Sequence, residues 1–252
     1  MCDTIRPPSD IQWLARPVAG ALLGTIVEVG ATEDAVLRER LARHFPLFGL
    51  RVRTPRLTLQ LPTDPELLEL LAVIEDGVHD PSWMPFQVGW TDTLQPQRDR
   101  DSLAHWWRTR ALWSPTDWIW SGAVRVDGLL VGVQGMMAKN FATIREVSTG
   151  SWIGLRNQGQ GIGKEMRAAV LQLAFDGLGA ERAHSGYVEG NEASRKVSES
   201  LGYEPNGYTY VIIRGEPRRE INLVLERDRW AARRRDDIEI EGLDACRELF
   251  GA

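Results

Sequence analysis

The segment Gln158-Gly159-Gln160-Gly161-Ile162-Gly163 constrains this chain more than any other. Its three glycines, at alternate positions, lie between a run that reads as a strand, Glu146 to Ile153, and one that reads as a helix, Gly161 to Leu178. In that helix Ile162, Met166, Ala169, Val170, Leu173 and Ala174 recur at the spacing of one apolar face, and Gly177 and Gly179 supply its end. A glycine-rich turn between strand and helix brings backbone N–H groups close to a ligand, and the helix N-terminus favours an anion there. A phosphate group is the natural occupant. Spacing excludes two phosphate motifs. A P-loop needs glycine five residues before its Gly-Lys pair and Ser or Thr after it, but Gly163-Lys164 has Gln158 and Glu165 at those places. A dinucleotide fingerprint needs G-x-G-x-x-G, and this turn reads G-x-G-x-G.

The rest of the chain reads as mixed α and β. Leu50 to Arg53 and Leu57 to Leu61 are extended segments, broken by Pro55 and ended by Pro62. Asp64 is placed to cap a helix that starts at Pro65. A second helix is expected from Asp101 to Leu112. Asp127-Gly128, between Trp118–Val126 and Leu129–Ala138, is the signature of a tight hairpin. Arg182–Val188, Tyr208–Arg214, Glu220–Glu226 and Ile238–Ile240 read as strands, and Glu192–Leu201 as a helix ended by Gly202. The irregular stretch His79 to Gln97 carries Met84, Phe86 and Trp90. These are candidate substrate-binding side chains of a lid, and equally residues that fill the core. The expectation is one three-layer domain at residues 45–252, preceded by an extension at residues 1–44 that packs on it or on a second subunit.

Composition narrows the function classes. A net charge of −5 argues against a general nucleic-acid-binding surface. Cys2 and Cys246, one near each end, make no disulfide framework, and the four scattered histidines have no metal-ligand spacing. The apolar segment Val18 to Val29 is too short and interrupted to span a bilayer, and its acidic, proline-containing flank makes a poor leader. A cytoplasmic protein with no metal and no membrane partner is the expectation.

The turn resembles motif A of the GNAT N-acyltransferase superfamily, Q/R-x-x-G-x-G/A, with Gln158, Gly161 and Gly163 at its fixed positions. Asn191-Glu192-Ala193-Ser194 with Leu201-Gly202-Tyr203 is similar to the N-x-x-S…L-G-Y/F pattern of the RimJ/RimL-like branch, and Thr54-Pro55-Arg56-Leu57-Thr58-Leu59 to its first strand. Residues 44–50, 77–86, 165–170 and 237–251 also resemble an actinobacterial GNAT succinyltransferase.

The resemblance implies the GNAT fold, a mixed and mostly antiparallel sheet flanked by helices, in which a splayed strand pair holds acyl-CoA. It implies transfer of an acyl group from acetyl-CoA or succinyl-CoA to a primary amine on a protein or small molecule. Backbone groups of Trp152 and Ile153 would bind the pantetheine, and Gln158, Gly159, Gln160, Gly161, Ile162 and Gly163 the pyrophosphate. Asn191 would touch the cofactor arm. Ser194 would lie near the thioester sulfur as proton donor. In this branch an acidic residue often stands where this chain has Ser148. Glu146, two residues earlier on the same strand face, is the candidate substitute, and otherwise a solvated carboxylate. His184 reads as structural, Tyr203 as packing behind the cofactor, and Arg233-Arg234-Arg235 as solvated. A CoA-binding regulator without efficient chemistry is the alternative, and a homo-oligomer is compatible with the extension.

Overall fold

The computed structural model describes residues 34–252. Cys2, the Val18–Val29 segment and most of the extension lie outside the described residues. A nine-stranded sheet runs in the order β7-β8-β6-β5-β4-β3-β2-β1-β9. Its strands are β1 (Arg51–Arg53), β2 (Leu57–Gln60), β3 (Asp117–Val126), β4 (Leu129–Lys139), β5 (Glu146–Ile153), β6 (Arg182–Val188), β7 (Glu204–Ile213), β8 (Glu216–Glu226) and β9 (Glu239–Glu241). Every pairing is antiparallel except that of β5 with β6.

Helix α1 occupies residues 34–42, followed by α2 (Asp64–Glu75) and α3 (Gln97–Ala111). A single turn, α4 (Phe141–Ile144), precedes β5; α5 (Ile162–Gln172) and α6 (Glu192–Leu201) follow it, and α7 (Arg227–Ala231) and α8 (Arg247–Phe250) close the chain. Leu67, Leu70 and Ile74 of α2 and Trp106 of α3 pack on one face of the sheet, against Ala123, Leu130 and Val133. The opposite face carries the larger core, built on α5 from Ile162 through Leu171 and extended by Phe175, Trp230 and Phe250.

Four local readings change, the first being α3, which starts at Gln97 and not at Asp101. Thr63, not Asp64, is the N-cap of α2, and Asp64 is the first helical residue. The Glu66 carboxylate reaches back to the Thr63 N–H at 2.6 Å, half of a capping box that Asp64 is one residue too late to make. The helix after the glycine turn is α-helical only to Gln172 and winds as a π-turn from Leu173 to Gly177. Strands β7 and β8 begin four residues earlier than their apolar patterns do, because pairing with each other extends them through polar residues.

Both ends of the described chain are tied into this body. Arg38 of α1 is buried, donates to the Leu61 carbonyl at 2.7 Å and pairs with Glu66. At the other end, β9 pairs with β1, and the indoles of Trp113 and Trp118 donate to the Leu249 and Phe250 carbonyls. Cys246 is fully buried, and burial pushes its thiol up to about 11, so it is an inert core side chain.

Candidate active site

The site begins where two parallel strands part. Strands β5 and β6 are in register only at Glu146 with Arg182, Val147 with Ala183 and Ser148 with His184. From Thr149 onward β5 stays paired with β4 up to Ile153, while β6 stays paired with β8 up to Val188. The fork therefore exposes one backbone edge of each strand to whatever enters it. Gly132 on β4 lets β5 run close: a side chain there would lie 2.2 Å from the Trp152 carbonyl oxygen.

At the mouth of the fork stands the glycine turn. Gly159 and Gly161 have φ of 75° and 79°, a left-handed backbone that a side chain strains. Gly163 differs: a Cβ there would make only ordinary contacts with Ile153 and Val197, at 3.5 and 3.6 Å. Gly161 caps α5 without a side chain, and the first intrahelical bond is from Glu165 N–H to Gly161 at 3.2 Å. Among the described residues the N–H groups from Gly159 to Lys164 meet no acceptor. This row of amides, at a helix N-terminus, fits a pyrophosphate.

Gln158 shapes the turn rather than facing outward. Its side-chain amide donates to the Val78 and Ile153 carbonyls at 2.8 and 2.9 Å, and its N–H to Leu155 at 3.2 Å. Arg56, which sequence reading took only as part of a strand pattern, braces the other side. It donates to the Gln160 carbonyl at 3.2 Å and to Glu165 at 2.7 Å. A hollow of about 350 Å³ is bordered by Gly77, Val131, Gly154 and Gln160.

Helix α6 flanks the fork through Val197, which packs near Gly163. The Asn191 side chain caps it, accepting from Ser194 N–H at 3.1 Å. Asn191 Oδ1 is therefore engaged, while the Ser194 hydroxyl meets no hydrogen-bond partner among the described residues.

The two faces of the fork differ. On the α5 side, Arg167 is 4% exposed and donates to Ser185 Oγ on β6 at 2.9 Å and to Ser151 Oγ on β5 at 3.2 Å. Thr149 Oγ1 lies 3.2 Å from the buried Tyr203 hydroxyl, whose pKa burial raises. On the other side, His184 Nε2 is 2.9 Å from Glu146, which also accepts from Arg182 at 3.0 Å. Burial raises the Glu146 pKa, but the His184 and Arg182 contacts outweigh it and hold the carboxyl below its usual range. A carboxylate so engaged is a weak base. Ser148, exposed, lies beside His184 in register.

The 79–97 loop drapes over this second face. Trp90 packs on Trp152 and Phe86, with ring centroids 6.0 and 5.4 Å apart. Met84 is buried against Val188 and Ile213, so it anchors the loop to the sheet instead of presenting itself to a substrate. Arg214, in the β7–β8 turn, grips Asp92 through two bonds of 2.9 and 2.7 Å and the Pro81 carbonyl at 2.9 Å.

A sheet forked beside a row of unpaired amides suits a group-transfer fold with an elongated, phosphorylated co-substrate. Residues 56–204, more than half of the chain, match the model of the acetyltransferase (GNAT) domain, and the chain belongs to this family of enzymes. Similar folds include Mycobacterium smegmatis RimJ in complex with CoA-disulfide, at 18% identity and a TM-score of 0.60 over 75% of this chain and 94% of that one. Ribosomal-protein-S5-alanine acetyltransferase from Vibrio fischeri is 16% identical with a TM-score of 0.56, over 71% and 98%. The microcin C7 self-immunity acetyltransferase MccE, in complex with acetyl-CoA and AMP, is 15% identical with a TM-score of 0.54, over 68% and 93%. Among the described residues no group of His, Cys, Asp or Glu is placed to hold a metal ion, and no helix is long and apolar enough to cross a membrane.

Proposed function

We propose that this protein transfers an acyl group, acetyl or succinyl, from acyl-CoA to a primary amine by direct attack. The observation that carries this reading is the fork that opens after Ser148 and His184 beside the row of free amides at Gly159–Lys164. Gly159, Gln160, Gly161, Ile162 and Gly163 hold the pyrophosphate, and the free edge of β5 near Trp152 and Ile153 takes the pantetheine. The amine enters beneath the 79–97 loop, against Phe86 and Trp90. Its nitrogen attacks the thioester carbonyl carbon, the carbon–sulfur bond breaks, and the thiolate takes a proton through the Ser194 hydroxyl, which is itself reprotonated from solvent. His184, oriented by Glu146, removes the amine's proton directly or through a water. Glu146 thus acts through the imidazole, and Ser148 leaves room for the water. The name of the similar ribosomal-protein-S5-alanine acetyltransferase makes a protein amine, N-terminal or lysine, the first acceptor to try, ahead of small-molecule amines.

The test is release of free thiol from acetyl-CoA and succinyl-CoA by purified protein with a panel of amines and N-terminal peptides. Acceptor-dependent release supports the reading. Tight CoA binding without transfer to any acceptor, in line with Ser148 replacing an acid, favours a CoA-responsive regulator. No CoA binding overturns both.

A further inference from the structure

The α5 side of the fork holds a charge that nothing around it balances. Helix α5 turns an almost wholly apolar face to the sheet, with Met166, Ala169 and Val170 each at most 1% exposed. Arg167 interrupts that core, 96% buried, with its guanidinium between β5 and β6 where the strands have parted. Ser151 and Ser185, one on each arm of the fork, accept from it as neutral hydroxyls, and the neighbouring Tyr203 phenol, its pKa raised by burial, is a neutral partner too. No carboxylate forms an ion pair with it among the described residues, whereas Arg38, Arg56 and Arg125 each have one. Its Nε is buried without any partner. An arginine stays charged when buried, and a buried cation lacking a counter-ion is unfavourable unless something supplies the anion.

We propose that Arg167 binds the terminal carboxylate of a dicarboxylic monoacyl-CoA, and so selects the acyl donor. The guanidinium lies in the fork that takes the pantetheine and thioester, and on the opposite face from His184, Glu146 and the amine-side loop. It is therefore placed to act on the donor and not on the acceptor. Its planar group, held from both arms by serines, presents fixed N–H donors to a carboxylate. An acetyl group leaves the charge unpaired, and a succinyl-length chain extends past the thioester with a carboxylate of the right sign. This inference rests on the transferase reading above, and it names the donor for that site.

Equilibrium titration of the full chain with CoA, acetyl-CoA and succinyl-CoA tests it without turnover. The wild-type protein is expected to bind succinyl-CoA about tenfold or more tighter than acetyl-CoA, the size of one charge-assisted hydrogen bond. Arg167→Met should erase that preference while CoA and acetyl-CoA bind within about twofold of wild type. Arg167→Lys should retain part of it, since charge survives and the fork geometry does not. Equal wild-type affinity for the two thioesters overturns the proposal, and this measurement decides the matter even if a variant fails to fold. An equal loss of all three ligands in Arg167→Met also overturns it, because Arg167 then supports the thioester or the packing and not the carboxylate. Failure of the wild-type protein to bind CoA in any form removes the transferase reading itself, a different result from binding without preference.

Discussion

The Nε2 of His184 lies 2.9 Å from the Glu146 carboxylate of the neighbouring strand; Glu146 opens the short paired stretch of β5 and β6, and His184 ends it where the sheet forks. A carboxylate at that distance fixes the ring orientation. Both substitutions, His184→Gln and Glu146→Gln, should leave CoA affinity intact. His184→Gln should lower kcat by about 10²-fold or more and remove the acidic limb of the kcat/KM–pH profile. Glu146→Gln removes the carboxylate that orients the ring and should lower kcat less than His184→Gln does, with KM for acyl-CoA unchanged. A kcat unchanged in both variants would return His184 to a structural role.

The glycines of the turn should separate by backbone conformation. Gly161→Ala forces a side chain into φ near 79°, a strain of about 1–2 kcal/mol, next to the amides proposed to take the pyrophosphate. CoA affinity should fall about tenfold or more, and Gly159→Ala, at φ 75°, should behave alike. Gly163→Ala meets only ordinary contacts and should bind CoA within about twofold of wild type. Calorimetric titration of the three variants checks the contrast. A Gly163→Ala defect equal to the other two would mean that close ligand approach, not backbone strain, explains all three glycines.

What the sequence discloses here is local, and what it conceals is long-range. Asp127-Gly128 can be read as a hairpin turn because both residues must adopt positive φ, and they do, at 49° and 83°. The glycine turn is legible for the same reason. Asp64 was misplaced by one residue because Thr63 and Asp64 are both good caps, and only the reach of Glu66 decides between them. Arg167 gives no signal along the chain: an arginine on an amphipathic helix reads as solvated until Ser151 and Ser185 are known to flank it. Arg56 beside Gln160 and Arg214 on Asp92 are likewise contacts across more than 100 residues, set by topology rather than by pattern.

The 79–97 loop is held by buried Met84, by Gln87 on Glu220 and, at its exposed side, by Arg214. Arg214 grips Asp92 and Pro81, and its guanidinium holds the Asp92 carboxyl below the usual carboxylate range. The pair is partly exposed, so Asp92→Ala should cost under about 1 kcal/mol in global stability. Its effect should instead be local: faster proteolytic cleavage within residues 79–97 and a raised KM for the amine, with KM for acyl-CoA unchanged. A variant that loses affinity for acyl-CoA and amine alike would show that the loop supports the whole fork.

The attachment of α1 predicts a specific acid sensitivity. Glu66 is buried between Arg38 and Arg125, pairing with Arg38 and accepting from Arg125 at 3.0 Å. Burial raises its pKa, but Arg38, the Thr63 N–H and Arg125 together hold it below the ordinary value of 4.5. A folded-state pKa below the unfolded one adds stability that is fully present above the unfolded value and is lost as pH falls through the folded value. Glu66→Gln leaves Arg38 buried without its counter-charge and should cost about 3 kcal/mol near neutral pH. That gap from wild type should then shrink as the pH drops below about 4.5, because the wild-type carboxylate is itself being protonated. Urea unfolding followed by tryptophan fluorescence between about pH 3.5 and 7 measures both curves. A gap that stays constant across that range would assign the loss to the capping contact with Thr63 rather than to the buried charge.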